Sequence, residues 1–192
     1  GLPIRNDIST SCDLVFGENV VNNIRFDHLR LGGTGDDELN PNPSSGSSNW
    51  ISGGSGNDIL HSSANGLDAF VFYSPLNPIS NLDTIIGFEA TGAEADQIWL
   101  DNAFFSGLLT DGDQLDTNSF AISTNEFASG NIGQIIYNTN NGQVLYDPDG
   151  AGGQNAIAFA LLAGKESITL QNFRVFGSSI SAVPSSAVIS LS

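Results

Sequence analysis

The chain has 192 residues, enough for one compact domain or two small ones, and a hydrophobic fraction of 40% with twelve Phe can fill a core. Its formal net charge is −16, with five Lys and Arg against 21 Asp and Glu, which argues against a nucleic-acid partner and favours divalent metal or polycations. The single cysteine, Cys12, excludes an intramolecular disulfide, and no apolar run is long enough to span a membrane.

No signal-peptide pattern opens the chain, so Gly1-Leu2-Pro3-Ile4 reads as the start of a mature product or of an excised fragment. A faint nine-residue pattern follows. Residues 13–21 place Glu18 before Val20, and residues 22–30 place Asp27 before Leu29. The pattern is complete in Gly32-Gly33-Thr34-Gly35-Asp36-Asp37-Glu38-Leu39-Asn40 and again in Gly53-Gly54-Ser55-Gly56-Asn57-Asp58-Ile59-Leu60-His61. Both fit G-G-x-G-x-D-x-U-x, with U a large apolar residue. Between them Ser44–Ser52 fits with Asn49 at the aspartate position and Ile51 at the apolar one, while Pro41-Asn42-Pro43 breaks the register and is expected to bulge. The residue types have a shared chemistry. Glycines turn tightly and leave carbonyls free to point at an ion. Asp37 and Asp58 supply hard carboxylate oxygens, which suit Ca²⁺. Leu39 and Leu60 fall on the inward face of a short strand.

After Gly66 the pattern becomes strand-like: Asp68–Tyr73, Asp83–Phe88 and Asp96–Leu100 alternate or run apolar. Phe104, Phe105, Leu108 and Leu109 have the spacing of a short amphipathic helix. Gln134–Tyr137 and Gln143–Tyr146 flank an Asn-Gly turn and predict a hairpin. Asp147-Pro148-Asp149-Gly150 leads to the apolar run Ala156–Leu162, and Ile168–Val175 is the last expected strand of this series.

The two complete nonapeptides resemble the calcium-binding repeats of RTX (haemolysin-type) proteins exported by type I secretion. The later D-x-F-V-F, D-x-I-x-x-F and D-x-I-x-L segments, and the V-L-Y-D-x-D-G to I-T-L-x-N-F order, resemble the serralysin-type C-terminal domain. The likeness covers roughly residues 32–176. It implies a parallel β-roll with two repeats per coil and Ca²⁺ held between turns stacked on one side. One site then uses Asp37 and Asp58 with the loops of Gly32, Gly33, Gly35 and of Gly53, Gly54, Gly56. Asp27, Asn49 and Asp68 form a poorer set on the opposite side. The expected fold is all-β. Degenerate and full repeats in 1–66 form a short parallel β-roll, continuing into an antiparallel β-sandwich-like C-terminal portion, 67–176, packed on it. Residues 177–192 form a tail in which Ala187–Leu191 reads as a lone strand.

Asp147 and Asp149 are a further Ca²⁺ candidate, although the missing EF-hand ligands favour a structural turn. Catalytic signatures are absent: there is no H-E-x-x-H and no G-x-S-x-G. His28 and His61 read as surface residues, and Trp50 and Trp99 as core aromatics rather than sugar platforms. The expectation is a secreted, extracellular or cell-surface, non-enzymatic structural domain. Its cofactor is Ca²⁺, which drives folding after type I export, and the export machinery is a transient partner. One alternative is a self-assembling matrix, surface-layer or fibre subunit, a homo-polymer joined by terminal strands. Another is a non-catalytic fragment of a secreted hydrolase.

Overall fold

The computed structural model describes residues 28–41 and 46–177. Glu18, Val20, Asp27, the Asn42-Pro43 part of the expected bulge and the strand expected at Ala187–Leu191 lie outside the described residues.

An apolar residue two positions after each turn-closing Asp or Asn repeatedly returns the chain to one interior, and the described residues contain no α-helix. The winding runs through β1 (His28–Thr34), β2 (Glu38–Leu39), β3 (Asn49–Ser55), β4 (Ile59–His61), β5 (Asp68–Phe72), β6 (Asp83–Ile86) and β7 (Gln97–Asp101). Odd-numbered strands of this set join one sheet and even-numbered strands the other, and every neighbouring pair within the set is parallel. The chain thus changes sheet at each turn, two strands per coil. Parallel pairing passes residue 66 without a break, since Asn49 lies opposite Asp68 and Ala69 opposite Gln97.

The rest of the chain completes both sheets. It forms β8 (Thr110–Asp111), β9 (Gln114–Leu115), β10 (Phe120–Ser123), β11 (Gln134–Asn138), β12 (Gln143–Asp147), β13 (Ile157–Leu162) and β14 (Phe173–Phe176). β14 lies parallel to β7, and β13 parallel to β6. The sheet orders are β1-β3-β5-β7-β14-β9-β8 and β10-β11-β12-β13-β6-β4-β2. β11, β12 and β13 are antiparallel neighbours, so the architecture is all-β, with two mixed sheets packed on each other.

One core fills the space between the sheets. Leu39, Ile51, Leu60, Phe70 and Ile85 from the coils share it with Tyr137, Phe159 and Phe173 from the C-terminal part. Phe159 packs edge-on against Phe72 and Phe105, with ring centroids 5.0 Å apart in both pairs. Trp99 is fully buried on the outer face of the first sheet, beside Trp50 and Phe176.

Three local expectations are corrected. The 104–109 segment is not helical. The N–H groups of Phe104 and Phe105 both donate to Asp101 O, and Gly107 has φ of +81°, so the segment is a chain of turns. The 168–175 strand is divided. Thr169 caps a 3₁₀ turn at Leu170–Asn172, and the strand proper starts at Phe173. The register of 22–30 is shifted by one. His28, rather than its neighbour at 27, lies opposite Asn49, and Arg30, rather than Leu29, lies opposite Ile51. A one-residue slip exchanges the faces of a strand, so Leu29 aligns with Trp50 on the outer face.

Candidate metal centre

The turns joining β1 to β2, β3 to β4 and β5 to β6 stack along one edge of the roll. Strand pairing continues into the glycines: Gly33 lies opposite Gly54, and Thr34 opposite Ser55. A β-carbon on Gly54 would overlap Gly33 O, and one on Gly56, where φ is +142°, would overlap Gly35 O. Only glycine lets the two backbones approach so closely at these dihedrals.

The aspartates close each turn from within. Asp37 N donates to Asp58 Oδ1 at 2.8 Å, and Asp58 N donates to Asp83 Oδ1 at 3.1 Å. Each carboxylate therefore holds the amide of the aspartate one coil earlier. One oxygen of each pair is used in this way. Asp58 is 1% exposed and its Oδ2 has no hydrogen-bond partner, and Asp37 Oδ2 is likewise buried and unpaired. These oxygens lie inside their own glycine loops: a β-carbon on Gly53 would overlap Asp58 Oδ2, and one on Gly32 would sit 2.8 Å from Asp37 Oδ2.

Burial raises these carboxyl pKa values. Desolvation, aided by the charges of Asp37 and Asp36 and opposed by the Asp37 amide, lifts Asp58 to about 6. Desolvation lifts Asp83 to about 8 against the Asp58 amide, with the Asp58 charge adding to the rise. Asp37 is raised by desolvation and by Asp36. Ionising this column costs free energy that a nearby cation would offset.

The opposite edge carries a second column, Asn49, Asp68 and Asp96, built differently. Asp68 N donates to Asp96 Oδ1 at 2.9 Å, and Asn49 Nδ2 donates to Asp68 Oδ1 at 2.6 Å. Asp68 Oδ2 also accepts from Ser63 N and from the Ser63 hydroxyl, and Ser62 Oγ lies 3.1 Å away. Ser62 Oγ and Glu89 N both donate to Asp96 Oδ2, at 2.8 Å. Hydrogen bonds from the chain itself occupy both carboxylates of this column, and Asn49 Oδ1 is its buried atom without a partner. Desolvation still raises Asp96 to about 7, against the Glu89 and Asp68 amides.

Asp147 and Asp149 sit in a separate turn after β12. Asp149 N donates to Asp147 Oδ1 at 3.2 Å, and Gly153 N donates to Asp149 Oδ2 at 3.1 Å, which is the bonding of a structural turn. Asp149 Oδ1 is buried without a partner. His61 lies in reach of Glu38 on the surface, at 3.2 Å.

The structure thus brings Gly32, Gly33, Gly35, Asp37, Gly53, Gly54, Gly56 and Asp58 together, and adds Asp83 to that edge and Asp96 to the opposite one, both of which the nonapeptide pattern misses. The signal that finds both is the D-x-U remnant: Asp83 precedes Ile85 and Asp96 precedes Ile98, as Asp58 precedes Leu60. Among the described residues no three His, Cys, Asp or Glu side chains gather at one point. An ion at the glycine turns would therefore need carbonyl oxygens beside its carboxylates, a donor set suited to Ca²⁺. The unpaired oxygens of Asp37 and Asp58 within stacked glycine loops fit such an ion. No helix in the described residues is long and apolar enough to cross a membrane. Compared with models of known protein families and with curated proteins, the chain matches none.

Proposed function

We propose that this chain is a secreted, non-enzymatic structural domain whose folding is completed by Ca²⁺ after export. The observation that carries the reading is the pair of stacked glycine turns, each enclosing a buried carboxylate oxygen without a partner. The net charge of −16 and the likeness of both turns to RTX repeats support it. At the low calcium of a cytosol the aspartate column is repulsive and desolvated, which favours an unfolded chain able to thread an export channel. Outside, Ca²⁺ neutralises the column and the coils close. For an extracellular-type site with Kd on the order of 10⁻⁴ M, free Ca²⁺ at about 100 times Kd adds about 2.7 kcal/mol. That is a large share of a typical net stability of roughly 5–15 kcal/mol.

Calorimetric titration of metal-stripped protein tests the reading. Ca²⁺ is expected to bind with heat and Mg²⁺ poorly, because Mg²⁺ demands tight octahedral geometry and gives up water reluctantly. Asp58→Asn is expected to lose the binding. Undiminished binding in Asp58→Asn places the ion elsewhere, and no binding to the wild type ends the proposal.

A further inference from the structure

A cavity of about 750 Å³ opens on the outer face of the second sheet, between the 125–128 segment and the 150–156 loop. Its size is within the range of small-ligand sites, about 300–1,000 Å³. It shares no residue with the glycine turns. Two planar polar side chains set into the sheet line it: Asn138 at the end of β11 and Asp147 at the end of β12, each 4% exposed. Asn138 Oδ1 accepts from Asn140 N at 3.0 Å, which leaves its Nδ2 hydrogens without a partner among the described residues. Around the opening stand Glu126, Gln154 and Phe127, and Phe127 is 78% exposed.

The lining contains no Lys, Arg or His, so no side chain in it would neutralise a phosphate or an acidic ligand. What it offers is an open aromatic ring, amides that both donate and accept, and a carboxylate that only accepts. A ligand matching all three has an apolar ring face bordered by hydroxyl groups that both donate and accept. A metal ion would use the carboxylates and leave the amides and the aromatic ring without a role. We infer that this cavity binds a neutral oligosaccharide, its ring face on Phe127 and its hydroxyls on Asn138, Asp147 and Gln154.

The test uses the whole chain in calcium-containing buffer, with maltotriose, cellotriose and N-acetylchitotriose as probes and backbone amide NMR shifts as the readout. At least one trisaccharide is expected to shift the resonances of residues 125–128 and 150–155. Phe127→Ala is expected to weaken that binding about tenfold, the scale of one anchoring contact, with an unchanged melting temperature. Gln154→Ala, also at an exposed position, provides a second variant that leaves folding intact. Silence of these resonances with all three sugars overturns the proposal, as does binding that Phe127→Ala leaves untouched. Spermine shifting the same resonances where the sugars do not assigns the acidic lining to an amine and overturns it as well.

Discussion

Asp58 concentrates the chemistry of the roll in one side chain. Its Oδ1 accepts from the Asp37 amide, its Oδ2 has no partner, and burial raises its pKa to about 6. An unfolded aspartate titrates near 3.9. Asp58, Asp83 and Asp96 therefore all have folded pKa values above the unfolded one, at about 6, 8 and 7. For such groups the folded state holds more protons, so their contribution is fully present below about pH 4 and is lost as pH rises through the folded pKa values. In EDTA the melting temperature should fall steadily between about pH 5 and pH 8. A rise over that window would show that these carboxyls are not desolvated. Asp58→Asn keeps an oxygen for the Asp37 amide and removes the charge. Its melting temperature in EDTA at pH 8 should exceed that of the wild type, and its response to Ca²⁺ should vanish. Gly53→Ala acts on the same oxygen through space, since its β-carbon would overlap Asp58 Oδ2. Thermal melts should show a loss of about 1–3 kcal/mol, the usual cost of overpacking a filled site.

The third turn of the same edge shows how an element can keep its place without glycines. Residues 74–82 replace the nonapeptide, and Asn81 carries the connection. Its Oδ1 accepts from Gly56 N at 3.0 Å, and its Nδ2 donates to Ser74 Oγ and Pro75 O. Ser74 Oγ in turn donates to Gly54 O at 2.7 Å, using a carbonyl of the second glycine loop. Amide and hydroxyl hydrogen bonds thus cap the ion-type turns. Asn81→Ala should cost about 1–3 kcal/mol by leaving buried groups unpaired, yet keep the Ca²⁺-dependent gain in melting temperature, because the turns of Asp37 and Asp58 remain. Loss of that gain would place the ion between the second and third turns. Much at this scale was legible in the sequence. G-G-x-G-x-D-x-U names turn and strand together, and the expected hairpin of β11 and β12 forms, although a four-residue loop with Gly142 at φ +84° and Gly142 N donating to Asn138 O replaces the two-residue Asn-Gly turn. The register of β1 was not legible, because 22–30 has no glycine to fix the turn and its one aspartate, Asp27, stands one position before the residue that pairs with Asn49. Nor was the division of 168–175, where Asn172 leaves the strand to donate to Ala90 O and Asp96 O far away in sequence.

Across the whole molecule, the coils and the C-terminal strands share one core, so calcium acting at an edge turn should stabilise both. This union is what the linear pattern hides. β13 and β14 read as ordinary strands, and only long-range pairing sets them beside β6 and β7. Unfolding should therefore be a single transition, with the near-ultraviolet signal of Trp99 and the far-ultraviolet β signal moving together. Separate midpoints would divide the molecule into independent units. The most direct test compares melting curves of metal-stripped protein at neutral pH in EDTA and in millimolar Ca²⁺. If Ca²⁺ neutralises the buried aspartate column, the midpoint rises by several degrees and both signals shift together. Superimposable curves would mean that the glycine turns hold no ion that matters to the fold.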